Sequence, residues 1–232
     1  MDPKVTWLIP LVSCVIGLAF ALVLLGQFRQ RRRFHQLMWS AGMVMFVLAT
    51  FGEFYGGALG WTPFVYKLYY FSGVALPGML GAGTVYLMTR QRPALGHMYA
   101  AATVLVALVF LVAVAGAEIN VEALAASGVA PQAADILPVS ARRPWSVLMS
   151  AVGGMVMLLG ALYSWLRFKL AYNRQIFLGA LVFILGGTLT SRLGIQGAIP
   201  VSNLIGVALV FAGVMAAERG RQAAPPTAAR AG

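Results

Sequence analysis

Acidic side chains are scarce in this chain. Six aspartates and glutamates stand against seventeen lysines and arginines in 232 residues, and charged residues of both signs make up only 10%. A soluble domain of this size carries about a quarter, so a water-facing globule is excluded as the main architecture. One cysteine excludes an internal disulfide, and two histidines with no nearby Cys, Asp or Glu at ligand spacing leave no metal site to expect. The last apolar run, 200 to 217, contains no lysine, which excludes the Schiff base of a seven-helix retinal protein. His35 and His97 fall at helix ends beside arginines, where solvation explains them better than haem ligation. No G-x-x-x-x-G-K-[ST] loop occurs, and Ser191, beside Arg192, has no base within its own helical turn. No cofactor is expected, and the chain reads more readily as a binding protein than as an enzyme.

What is present is hydrophobic: 60% of the residues, gathered into runs of eighteen or more. Such a run crosses a hydrocarbon core about 30 Å thick as one helix. We count seven, at 5 to 27, 37 to 58, 64 to 88, 97 to 117, 145 to 166, 176 to 193 and 200 to 217. Runs such as VLVALVFLVAVAGA do not alternate, which excludes a membrane β-barrel. The expected fold is an all-α, polytopic membrane protein of seven helices.

Twelve of the seventeen bases lie between the first and second runs, the third and fourth, the fifth and sixth, and after the seventh, against one acid, Glu218. Lys and Arg are retained on the cytoplasmic side, so the N-terminus is expected outside and the C-terminus inside, in a cytoplasmic membrane of bacterial type. The same bases would attract anionic lipid headgroups. Dispersed over short loops as the topology rule requires, they give no basis for nucleic-acid binding. LVSC, Leu11 to Cys14, resembles a lipoprotein cleavage box, but the apolar run continues past it and MDPK has no net positive side-chain charge. An uncleaved first helix is expected.

Residues 118 to 144 form an outer loop, with a short helix expected around Val121 to Ala126, and 222 to 232 read as a disordered tail. Setting the fourth helix aside leaves two groups of three. FHQLMWSAGMVMFVLATFGEFYG (34 to 56) lies over NRQIFLGALVFILGGTLTSRLG (173 to 194), with Gln36 opposite Gln175 and Glu53 opposite Arg192, and each group places a proline at the start of its last helix. A parallel three-plus-one-plus-three repeat is the corresponding expectation. In helix count, orientation and repeat plan the chain is similar to sugar facilitators of the SWEET class, but it lacks their paired-helix proline pattern, so the similarity is one of architecture.

One layer breaks the apolar pattern. Glu53 lies about 24 Å along its helix at 1.5 Å per residue, just short of the outer boundary, and Lys67 and Arg192 fall at similar depth. Charge is expensive there unless paired. One reading is a permanent ion pair joining Glu53 to Lys67 or Arg192. The other is a ligand site lined by Glu53, Lys67, Tyr70 and Arg192 that takes a small polar or anionic solute from outside. Pro77 and Gly78 add a kink or a tight packing point in the third helix. The expected function is small-solute binding, as a transporter or sensor. The alternative is an accessory subunit, its charges pairing helices and its glycines contacting a protein partner or a second copy.

Overall fold

The computed structural model describes residues 7–128, 131–193 and 197–223, with the side chains of 191, 192 and 221–223 outside that description. The tail expected to be disordered therefore lies outside the described residues, apart from the backbone of 222 and 223. Among the described residues the protein is 87% helical with no strand, and seven helices are long and apolar enough to cross a membrane. They are α1 (Leu8–Arg31), α2 (Phe34–Leu59), α3 (Pro63–Met88), α4 (Pro93–Ala115), α5 (Gly153–Phe168, the last part of a helical span that begins at Val139), α6 (Ala171–Leu193) and α7 (Ala198–Ala223).

The helix ends follow from local chemistry. Arg32 (φ 51) and Lys169 (φ 52) adopt the left-handed conformation just after α1 and α5, their N–H groups donating to Phe28 O and Trp165 O at 2.7 Å. Gly60 (φ 91) and Gly197 (φ 87) occupy the turns after α2 and α6, a conformation that favours glycine. Thr62 caps α3 by accepting from Val65 N at 3.3 Å, with Pro63 at the first helical position, where no N–H is needed.

Six helices close into a ring in the order α1, α2, α3, α5, α6, α7, and α4 packs outside it against α3. Aromatic contacts mark several seams: Phe20 with Phe211 between α1 and α7 at 5.1 Å, and Trp165 stacked on Phe177 between α5 and α6 at 5.5 Å. Across the ring, Phe46 of α2 meets Phe183 of α6 edge-on at 5.8 Å. On one side of that contact a cavity of about 590 Å³ opens between the helices toward the end that carries Arg90 and Asn173. On the other side lies Glu53.

The α3–α5 seam sets backbone against backbone. A Cβ on Gly153 would meet Gly78 Cα at 2.5 Å, so the two backbones are in direct contact. The chain enters α5 through a π-helical turn, Ser146–Val152, opposite Pro77. α3 stays helical through Pro77, which has no N–H to give to the preceding turn. Ser150 Oγ donates to the nearby Val74 carbonyl at 3.2 Å. Ser150→Ala is therefore expected to cost about 1 kcal/mol, read as a lower apparent melting temperature of the purified protein.

Candidate functional site

Glu53 is held inside the bundle by its neighbours along α2. Around it, α2 approaches α3 and the turn before it through glycines: a Cβ on Gly52 would meet Tyr69 Cβ at 2.9 Å, and one on Gly56 would collide with the Trp61 indole. Glu53 is thereby 1% exposed. Its Oε1 accepts from Asn203 Nδ2 of α7 at 3.4 Å, a long bond, and its Oε2 has no hydrogen-bond partner among the described residues. A buried carboxylate with one weak partner is a costly arrangement.

Lys67 does not supply the missing partner. Its Nζ donates to Ala115 O at 2.7 Å, at the C-terminal end of α4, where a cation complements the helix dipole. Arg192 belongs to α6, and its side chain lies outside the described residues. The only ion pair found among the described residues is at the opposite end, where the Arg31 guanidinium grips the Glu218 carboxylate through two bonds and ties α1 to α7.

Tyr70 stacks on Tyr66 at 6.2 Å and meets Phe110 edge-on at 6.0 Å. It therefore belongs to an aromatic group that includes Tyr69 and Trp61, whose rings lie 5.2 Å apart. Tyr66 is fully buried at its centre, and its hydroxyl has no partner among the described residues. Tyr69 links this group to the carboxylate, touching the Tyr66 ring on one side and Gly52, next to Glu53, on the other.

The loop after α4 covers the aromatics. Its short helix Val121–Ala125 starts at Asn120, whose side chain accepts from Ala123 N at 3.1 Å, and it buries Leu124 against Tyr66 together with Ile136 and Leu137. Trp61 Nε1 donates to Gly128 O at 2.8 Å, and Arg142 Nε donates to Leu137 O at 2.9 Å. Trp61→Phe keeps the ring and removes the first bond. It is expected to weaken docking of the loop by about 1 kcal/mol, seen as faster amide exchange over 119 to 128 with no change in α1.

Pro77 and Gly78 lie deeper, away from Glu53, where Gly78 accommodates Met149: a Cβ there would meet Met149 Cε at 2.6 Å. Among the described residues no group of three or more His, Cys, Asp or Glu is arranged to hold a metal ion. The site therefore brings together Glu53 with Asn203, Tyr69 and Tyr66, and sets Tyr70 at its edge. Asn203 was missed in the sequence, although an asparagine within the apolar run 200 to 217 is the same kind of anomaly as Glu53.

Comparison with known proteins returns no matching family model, no matching curated protein and no matching solved structure.

Proposed function

We propose that the protein is a small-solute-binding membrane protein, a transporter or sensor, with its polar site at Glu53 beneath the loop at the outer face. The observation that carries this reading is that Oε2 of Glu53, in a residue 1% exposed, has no partner among the described residues. A carboxylate kept there for stability alone would be expected to have a strong partner, whereas a binding site keeps an acceptor open. With Lys67 turned to α4, the described groups around the site are a carboxylate, an amide and tyrosine hydroxyls. They suit a solute that presents N–H or O–H donors, an amine or a polyol, better than an anion.

The positive-inside rule favours placing the basic end, with Arg29, Arg31, Arg90, Arg167 and Arg219, at the cytoplasmic face beside anionic headgroups, and Glu53 outside. An internal repeat of α1–α3 and α5–α7 is supported by paired backbone features. Arg32 and Lys169, Gly60 and Gly197, and Pro63 and Pro200 are each 137 residues apart. So are the members of a matched pair of bonds: Gln36 Nε2 to Gln27 Oε1 at 2.9 Å, and Asn173 Nδ2 to Ser164 O at 3.2 Å. Phe46 and Phe183, which touch across the ring, have the same spacing, as contact at a pseudo-two-fold axis requires. In this register the counterpart of Glu53 is Thr190 rather than Arg192, two residues from the alignment made on sequence alone.

The accessory-subunit reading assigns the glycines to partner contacts. Most of them instead meet neighbours within the chain, as Gly42 meets Leu80, Gly153 meets Gly78 and Gly179 meets Val210. Thermal shift of the detergent-solubilised protein against a panel of amines, polyols and carboxylates tests the proposal. A ligand at a hundred times its Kd stabilises by about 2.7 kcal/mol, so an amine or polyol is expected to raise the melting temperature by several degrees and the carboxylates are not. A panel without effect, or one in which only carboxylates stabilise, counts against it. Flux of the solute found into proteoliposomes then separates transporter from sensor.

A further inference from the structure

The cavity at the end opposite Glu53 has a different chemistry. Its volume, about 590 Å³, falls within the range of small-molecule sites, about 300 to 1,000 Å³. Phe183 and Val207 lie at its deep end, and its walls include Phe20, Met43, Met157 and Ile176. Several of the polar side chains among these walls are satisfied internally. Trp39 Nε1 and Thr84 Oγ1 both donate to Leu80 O, at 3.1 and 3.0 Å, and Asn173 Nδ2 donates to Ser164 O at 3.2 Å. The remaining hydroxyls of the lining, on Tyr163, Ser164 and Tyr172, belong to the ends of α5 and α6 near the mouth, so the deep part of the cavity is apolar and does not hold water well.

The rim differs from the walls. Arg90 lines the cavity where it opens, and Arg92, Arg167, Lys169 and Arg174 are close to it in sequence or on the adjoining turn. The one acid at this end that belongs to the described residues, Glu218, is bound by Arg31. The mouth is thus positive and the interior apolar.

We propose that this cavity binds a single-chain anionic amphiphile, its hydrocarbon chain between Phe20, Met43, Met157 and Ile176 and its acidic head beside Arg90. The site is separate from the one at Glu53, on the far side of the Phe46–Phe183 contact, and the inference does not depend on the solute reading.

The test uses the full chain in nanodiscs of neutral phosphatidylcholine and a hexadecanoate carrying a photoactivatable diazirine midway along its chain. After illumination, peptide mapping is expected to place the label on the cavity walls, at Met43, Met157 or Ile176. Excess hexadecanoate is expected to displace it and butanoate is not. Arg90→Gln is expected to weaken displacement by hexadecanoate roughly threefold to fivefold and leave displacement by hexadecanol unchanged. Ala161→Phe, which fills the cavity from α5, is expected to abolish cavity labelling; Met157→Phe serves the same purpose with a smaller change in volume if Ala161→Phe does not fold. Labelling confined to outward positions such as Leu105 and Val112, as for bulk lipid, overturns the proposal. So does cavity labelling that survives both filling variants, or displacement by hexadecanoate that is indifferent to Arg90→Gln.

Discussion

Glu53→Gln is expected to raise the apparent melting temperature, by roughly 4–8 °C for a gain on the order of 2 kcal/mol. The side chain is 1% exposed, Oε1 has one long bond from Asn203, and Oε2 has none among the described residues. Glutamine keeps the shape and the Asn203 bond while removing a carboxyl group whose loss of solvation the described structure does not compensate. An amide left partly unsatisfied costs less than a carboxylate in the same position. If Glu53 were half of a structural ion pair, the same change would leave a buried partner charge alone and cost about 3–5 kcal/mol. The two readings thus differ in the sign of the shift, which makes differential scanning of the purified variant decisive between them.

Gly153→Leu is expected to do the opposite, lowering stability by on the order of 3 kcal/mol or preventing assembly of the bundle. Its Cβ alone would lie 2.5 Å from Gly78 Cα, 2.6 Å from Gly78 N and 2.7 Å from the Pro77 carbonyl carbon. These are backbone atoms of a helix, so no side chain can rotate out of the way. A second contact of the same two helices is nearly as close, a Cβ on Gly81 meeting Gly153 O at 2.7 Å. Relief requires α3 and α5 to separate, which also removes the Ser150 bond beside Pro77. Gly26→Ala in α1, where a Cβ meets nothing within 4 Å, is the control and is expected to be neutral or to stabilise by up to about 1 kcal/mol. Melting temperatures of the two variants, measured together, check this; equal values would mean that α3 and α5 do not touch as described.

The seven helices were legible because eighteen apolar residues in a row have few other uses, and the α2–α3 turn because Gly60 and Pro63 each serve one backbone requirement. A rise of 1.5 Å per residue set Glu53 and Lys67 at one level, and the contact of Gly52 with Tyr69 brings the two segments that carry them together. Azimuth was not legible. Tyr69 is turned to α2 by its contact with Gly52, and Lys67, two residues earlier, is rotated by about 200° and faces α4 instead. Which face meets which neighbour depends on packing among helices that are apolar on every side, and hydropathy carries little of that information. For the same reason the docking of Leu124, Ile136 and Leu137 over Tyr66 was hidden, although the short helix that carries Leu124 was expected from the loop sequence. The register of the proposed repeat was half visible. The prolines at 63 and 200 have a spacing of 137, while setting Gln36 opposite Gln175 drew the second helix two residues away. The π-helical turn opposite Pro77 left no signal that we could read.

The most direct test of the Glu53 site is native mass spectrometry of the full chain released from mild detergent, wild type beside Glu53→Gln. The account predicts that the wild type retains a small donor-bearing solute that the variant, folded and at least as stable, has lost. Identical spectra for the two proteins, whether bare or carrying the same bound species, would contradict it.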